Sequence, residues 1–294
     1  MLILIADAFD ASLPGRLSVF GEVTTDHGRL SEANVLLIRS KTRCTKEYMD
    51  NAPNLKVIIR GGVGVDNIDT EYALSKGIVV RNTPTSSSIA VAELTMALMI
   101  SVPNNLLEYS KGMKEGNWLK NLKRTELYGK TLCLLGMGNI ACKVAERAHA
   151  FGMNVVAYDK YVTTHQFAKM LSSAEVAVEN ADYISLHLPL TNETMNLVNE
   201  DLLSHCKKKP VIINTGRALC VDAGYMVKAL SGGSVSWYCA DVYPTDPPQS
   251  DYPLLGCDRV TFTPHVGANS VENLGRIGQE TFDIIKELIE GGIV

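Results

Sequence analysis

Short apolar runs recur along the chain between polar and turn-forming residues, at positions 2–6, 35–38, 57–59, 78–80, 131–135, 155–158, 184–188, 211–213 and 237–240. Runs this short that stay apolar without alternating predict strands buried on both faces, as in a parallel sheet. Between them, stretches such as 140–150 and 222–230 repeat apolar residues at helical spacing. Strands alternating with helices predict an α/β fold built of doubly wound parallel sheets with helices on both faces. A long helical region is predicted over 89–114, with Pro103 breaking or kinking it because proline removes a donor and crowds the preceding turn. The last predicted helix, over 270–289, places Leu274, Ile277, Phe282, Ile285 and Leu288 on one face and has no assigned sheet. No repeat or low-complexity tract interrupts the pattern.

A length of 294 residues suits about two domains, and the helical region after the fourth strand is the predicted bridge between them. A net charge of −4 gives no reason to expect a nucleic-acid partner. The seven cysteines, Cys44, Cys133, Cys142, Cys206, Cys220, Cys239 and Cys257, are scattered with no C-x-x-C pair, so neither a metal site nor a redox pair is expected. They read as buried thiols in a reducing cytosol. The first residues lack a basic lead-in, and no stretch approaches the ~20 apolar residues of a membrane span. A soluble cytoplasmic protein is expected.

The run at 131–135 leads directly into Gly136-Met-Gly-Asn-Ile-Ala141, which opens a helix, and Val155-Val-Ala-Tyr-Asp159 follows about twenty residues later. Gly136 permits the tight turn, Gly138 lets backbone approach a pyrophosphate, and Ala141 allows close helix-to-strand packing. The helix opened by Asn139 and Ile140 offers amides and the positive end of its dipole to phosphates. Asp159 suits the ribose hydroxyls and repels a 2'-phosphate, so NAD is the expected cofactor. Pro189 ends a strand where an adenine ring is expected. Thr215, Asp241 and Gly267, at the ends of later strands, complete the expected cofactor contacts.

Three further strand ends carry ionisable groups: Asn214-Thr-Gly-Arg217, Asp241-Val-Tyr-Pro-Thr-Asp246 and Thr263-Pro-His265-Val-Gly267. Oxidation of a 2-hydroxy acid needs a cation for the carboxylate and carbonyl oxygen, and the two-pronged guanidinium of Arg217 suits it. It also needs a base for the hydroxyl proton, and histidine, with its pKa near neutrality, makes His265 the candidate. Asp246 is the candidate carboxylate to orient that histidine. Taken singly, each residue also reads as an ion-pair partner, a turn residue or a satisfied histidine; together they point to hydride transfer.

Gly136 to Ala141, Asp159, Arg217, Asp246 and His265, in that order and spacing, resemble the D-isomer-specific 2-hydroxyacid dehydrogenases over nearly the whole chain. The resemblance implies an NAD-binding Rossmann domain, 94–269, inserted in a split flavodoxin-like substrate domain, 1–93 and 270–294. It further implies a cleft between the two, a homodimer around the linking helices, and catalytic roles for Arg217 and His265. Within the family, the segments 38–42, 60–68, 82–84 and 92–94 are most like the phosphoglycerate dehydrogenase branch. That likeness implies substrate contacts from Arg39, Lys41 and Arg60 and from the amides of Gly62, Val63 and Gly64. Lys41 reads equally well as surface charge. The implied reaction is NAD-dependent oxidation of D-3-phosphoglycerate, the entry to serine synthesis. With the chain ending at Val294, no C-terminal regulatory domain and no inhibition by serine are expected.

Two positions depart from the family pattern. Asp246 stands where the family has Glu, one methylene longer, which puts contact with His265 in question. Ala218 follows Arg217 where Gly is usual, which matters only if the backbone there needs a positive φ. Alternative readings are another reductase of the family, acting on glyoxylate, hydroxypyruvate or D-lactate, and an NADH-responsive corepressor-like binding protein.

Overall fold

Twelve strands, every neighbouring pair parallel, form two sheets in the computed structural model, which describes residues 1–294. The first unit, Met1–Ala90 with Ala268–Val294, holds five strands. These are β1 (Leu2–Ile5), β2 (Glu22–Thr24), β3 (Val35–Ile38), β4 (Val57–Arg60) and β5 (Val79–Asn82), in the spatial order β2-β1-β3-β4-β5. The second unit, Val91–Gly267, holds β6 (Thr131–Leu135), β7 (Asn154–Tyr158), β8 (Lys169–Met170), β9 (Tyr183–Leu186), β10 (Val211–Asn214), β11 (Trp237–Ala240) and β12 (Val260–Phe262). Their order is β12-β11-β10-β9-β6-β7-β8. These are the flavodoxin-like and Rossmann arrangements of doubly wound sheets.

The apolar runs explain the layering. In the first unit Leu4, Leu36 and Ile58 enter one core while Ile3, Ile5, Val35, Leu37, Val57 and Ile59 enter another, so successive residues of each strand face opposite sides. Helices must then cover both faces. One is Asn139–Ala150, which buries Ala141, Val144, Ala145 and Ala148 at helical spacing. Another is the last helix, Val271–Glu290, whose Ser270 hydroxyl accepts from the Asn273 amide at its start and whose Ile284, Ile285 and Leu288 complete the first unit's core. The final helix thus returns to the sheet made first. The bridging helical region is two helices, Ser88–Ser101 and Leu106–Lys114, bent by 64° across the segment that contains Pro103. No single helix is long and apolar enough to cross a membrane.

β2, β8 and β12 were not among the runs read as strands, and all three are outermost in their sheets. They are two or three residues long and carry exposed or half-exposed residues such as Glu22 and Lys169, because an edge strand is not buried on both sides. In each sheet the strand order reverses once, between β1 and β3 and between β6 and β9. Crevices at such switch points, beyond the carboxyl ends of the strands, are where ligands bind in this architecture.

Candidate active site

The switch point of the second sheet is built from the turn after β6 and the loop after β9. Gly136 sits at φ +90°, and a Cβ there would lie 2.6 Å from the carbonyl oxygen of His187, so neither the backbone nor the neighbouring strand tolerates a side chain. Gly138 differs: it caps the helix Asn139–Ala150, and a Cβ there would meet nothing within 4 Å. The missing side chain therefore leaves open space before the first amides and positive dipole end of that helix. Asn139 is exposed in its first turn, Ile140 is half-buried against the core, and Ala141 is fully buried.

Asp159, just past β7, accepts from three backbone amides: Oδ1 from Tyr161 (2.8 Å) and Val162 (3.0 Å), Oδ2 from Met137 (2.7 Å) within the glycine turn. Its burial alone would raise the carboxyl's pKa, but these donors outweigh it and hold the group below the ordinary range, so it stays ionised. Next to it, Lys160 pairs with Glu193. Pro189 is exposed beyond β9 and its carbonyl accepts from the Thr194 hydroxyl at 2.6 Å. The buried Thr215 hydroxyl lies 2.9 Å from that of Thr95. An open helix terminus, a close glycine approach and an ionised acid at the second strand tip fit the pyrophosphate and ribose of a dinucleotide.

Three adjacent strands of the same sheet, β10, β11 and β12, deliver the expected hydride-transfer residues. After β10 the buried Asn214 holds the turn, its Oδ1 accepting from the Gly216 amide (3.1 Å) and its Nδ2 donating to the Arg217 carbonyl (3.0 Å). Arg217 is half-buried and donates Nη1 to the Gly216 carbonyl at 2.9 Å. After β12, His265 occupies a left-handed conformation at φ +52°, uncommon for a residue with a side chain. Asp241 holds this loop: Oδ1 accepts from the Thr263 hydroxyl (2.6 Å) and the Val266 amide (2.9 Å), Oδ2 from the Gly267 amide (2.8 Å). The Tyr243 hydroxyl, kept protonated because burial and nearby acids push its pKa up to about 12, donates to the Thr263 carbonyl at 2.8 Å. Thus braced, His265 presents Nδ1 to Oδ2 of Asp246.

In the first unit, two side chains shape the loop after β3. Asp7 accepts from the amides of Arg39 (2.6 Å) and Thr42 (3.1 Å) and from the Thr42 hydroxyl (2.7 Å), while Asn67 donates to the Arg39 and Thr42 carbonyls. Arg39 is turned inward: its guanidinium donates to the carbonyls of Ala8 (3.4 Å) and Ala268 (3.1 Å), and burial lowers its pKa. Lys41 is exposed. Arg60, the last residue of β4, folds back over Gly62, where a Cβ would fall 1.6 Å from Nη1; Gly62 is at φ +147°, Val63 is exposed and Gly64 half-buried.

Residues 96–267 match the family described as D-isomer specific 2-hydroxyacid dehydrogenase, NAD binding domain. The chain belongs to the D-2-hydroxyacid dehydrogenases. It is 38% identical over 302 residues to D-3-phosphoglycerate dehydrogenase of Methanocaldococcus jannaschii, covering 98% of this chain and 57% of that protein. It is also 38% identical over 278 residues to hydroxypyruvate reductase of Thermotoga maritima, covering 91% of each. Among solved structures, D-lactate dehydrogenase of Aquifex aeolicus, complexed with NAD and lactic acid, superposes with a TM-score of 0.86 at 27% identity over 99% of this chain and 96% of that one. This dehydrogenase therefore carries the NAD-binding domain of its family, and it spans about half the length of the phosphoglycerate dehydrogenases it matches.

Both departures from the family pattern have a structural answer in this dehydrogenase. The shorter Asp246 still reaches His265, because the loop after β11 brings the carboxylate to the ring. Ala218 opens a single 3-10 turn and is not among the positive-φ residues, so its methyl group imposes no backbone strain. What sequence reasoning missed is the supporting layer of Asp7, Asn67, Asn214 and Tyr243. Their side chains bond to backbone groups distant along the chain, and such pairings leave no periodic signal. Asp241 was read as a cofactor contact, and the structure gives it three partners in the His265 loop.

Proposed function

We propose that this chain is an NAD-dependent oxidoreductase acting at C2 of a small 2-hydroxy acid, with D-3-phosphoglycerate, oxidised to 3-phosphooxypyruvate, as the preferred substrate. The observation that carries the chemistry is the pairing of Asp246 with Nδ1 of His265 after β12, with Arg217 after β10 at the same end of one sheet. With Nδ1 engaged, Nε2 is left to take the hydroxyl proton, and the aspartate stabilises the imidazolium that results. Arg217 holds the substrate carboxylate and polarises the C2 oxygen. The helix terminus after Gly138 and Asp159 hold NAD, which when bound accepts the C2 hydride. As the hydride leaves, the C2–O bond becomes a carbonyl and the proton stays on His265. Run in reverse, His265 donates that proton to the ketone oxygen.

The phosphate assignment rests on Arg60 and on the 38% identity to a phosphoglycerate dehydrogenase. Arg60, with Lys41, is assigned to the phosphorylated end of the substrate, and the Gly62 to Gly64 amides to its carboxylate. Arg39, held on two carbonyls, is assigned to the same loop as a support. The second reading, hydroxypyruvate reductase, has the specific support of a relative matched over 91% of both chains. We assign a homodimer built on the helix Leu106–Lys114 and the segment after it, where Leu106, Leu107, Met113 and Trp118 are each exposed. Seven cysteines outside any disulfide fit a reducing, cytoplasmic setting. NADH oxidation at 340 nm with 3-phosphooxypyruvate, hydroxypyruvate, glyoxylate and pyruvate tests the reading, in wild type and Arg60→Ala. Preference for the phosphorylated ketone, lost in Arg60→Ala, is expected. Preference for hydroxypyruvate in both forms assigns the second reading, and no turnover with any ketone removes both.

A further inference from the structure

The adenosine end of the dinucleotide site carries a second acid that the strand-tip aspartate does not account for. Asp159 has four acceptor sites on its carboxylate, and the amides of Tyr161, Val162 and Met137 occupy three of them. Its capacity to reject a 2'-phosphate is therefore mostly its charge. Beside it lies an open pocket of about 410 Å³, lined by Asp159, Lys160, Thr163 and Ser172 among others. That is more than ten times the ~30 Å³ share of one water, so size alone does not exclude a phosphate there. Lys160 is the one cation in the lining. Left to itself it would invite a phosphate.

It is not left to itself. Both carboxylate oxygens of Glu193 take the Lys160 ammonium, at 2.7 and 2.8 Å. Glu193 comes from the loop after β9, on the far side of β6 from β7. The loop is braced by its own hydroxyls: the Thr191 amide donates to Thr194 Oγ1 (2.8 Å), which donates to the Pro189 carbonyl. We propose that Glu193 is a specificity residue which, by holding Lys160, stops that lysine from accepting the 2'-phosphate of NADP and so sharpens the preference for NAD. The one ammonium in the pocket beside Asp159 is then already paired, and a 2'-phosphate must break that ion pair to find a cation. Removing Glu193 releases the lysine to serve the phosphate.

Binding of adenosine fragments to the purified full chain tests this without turnover. Calorimetric titration with 5'-AMP and with 2',5'-ADP compares wild type, Glu193→Gln, Lys160→Met and the double variant. Glu193→Gln is expected to raise affinity for 2',5'-ADP relative to 5'-AMP by about threefold, the scale of an exposed ion pair, and the gain should shrink with added salt. In the Lys160→Met background the same substitution should produce no such gain. A wild-type ratio in Glu193→Gln overturns the proposal. So does an equal gain with and without Lys160, which would mean that Glu193 acts by its own charge and not through the lysine. The ratio of kcat/KM for NADPH over NADH is expected to follow the same order across the four proteins.

Discussion

Each sheet of this dehydrogenase carries a glycine-rich turn at the carboxyl end of an internal strand, after β4 and after β6, and the two use the missing side chains differently. After β4, a Cβ on Gly61 would lie 2.7 Å from the Phe9 ring, and one on Gly62 would strike the Arg60 guanidinium. The space there is filled by the protein's own side chains. After β6, Gly136 makes room for the backbone of the adjoining strand, while Gly138 spares nothing in the protein and faces open space before a helix. Only the second turn is shaped to admit a ligand's phosphate against backbone. The first seats an arginine. Glycine spacing alone does not separate these uses; what would meet the absent Cβ does.

The strongest test of that contrast is Gly136→Ala. Its methyl group would collide with a backbone carbonyl at a positive φ, and a loss of about 2–4 kcal/mol of stability is expected by urea unfolding, combining strain with the displaced strand. A change under 1 kcal/mol would mean that the turn is not tightly held. The histidine whose carbonyl opposes Gly136 provides the next. His187 is half-buried, its Nε2 bonded to the Ser185 hydroxyl, and desolvation of its ring depresses its pKa to about 4 from the usual 6.5. Because the unfolded chain binds the proton more readily, the stability conferred by the neutral ring is complete above pH 6.5 and is lost as pH falls from 6.5 toward 4. The ceiling is about 3 kcal/mol. Wild type should lose up to that much more than His187→Gln between pH 7 and pH 4, and parallel losses would remove the assignment.

Smaller effects separate the two turns more finely. In Gly62→Ala the obstacle is the far end of a flexible side chain, so the fold should largely absorb it while Arg60 is displaced. KM for a phosphorylated ketone is expected to rise about tenfold, with a loss of no more than about 1–2 kcal/mol in stability. If the stability loss matches that of Gly136→Ala, the two turns are not distinct in kind. Gly138→Ala should be the mildest for the fold, with an unchanged Tm, yet NADH binding followed by fluorescence should weaken about tenfold as the methyl group enters the space kept for the pyrophosphate. A Tm drop without weaker binding would reverse the roles assigned to the two turns.

The sequence was most informative where one strand end carries both a periodic pattern and a reactive group. The run 131–135, the glycine turn and Asp159 lie close along the chain, and Arg217 follows the run 211–213, so their placement followed from apolar runs, whereas His265 was placed by its Thr-Pro-His-Val-Gly motif. The edge strands β2 and β8 escaped, and β12 was visible only as the strand end before His265, because two or three partly exposed residues give no pattern. The left-handed backbone of His265 was not legible either, since nothing adjacent to it signals a positive φ; the cause is Asp241, bonded to residues 22 to 26 positions away. Asn67 shows the same limit. Its segment, 60–68, carries part of the family likeness, yet its physical role, tying the Arg39 and Thr42 carbonyls, appears only in three dimensions.

The last helix also sets an order in time. Its Asn273, Arg276 and Glu280 bond to Ser86, Ser87 and Thr85, nearly two hundred positions earlier, and its Ile284, Ile285 and Leu288 close the core under β1, β3 and β4. On the ribosome the first strands therefore emerge without the helix that covers them. The second unit, continuous from Val91 to Gly267, has all of its own strands in hand before that helix is made. At about 5–20 residues per second, the early sheet waits on the order of ten seconds or more with one apolar face uncovered. Of the two units, the one whose strands are synthesised first is the one completed last, and in that interval its uncovered face is open to wrong contacts.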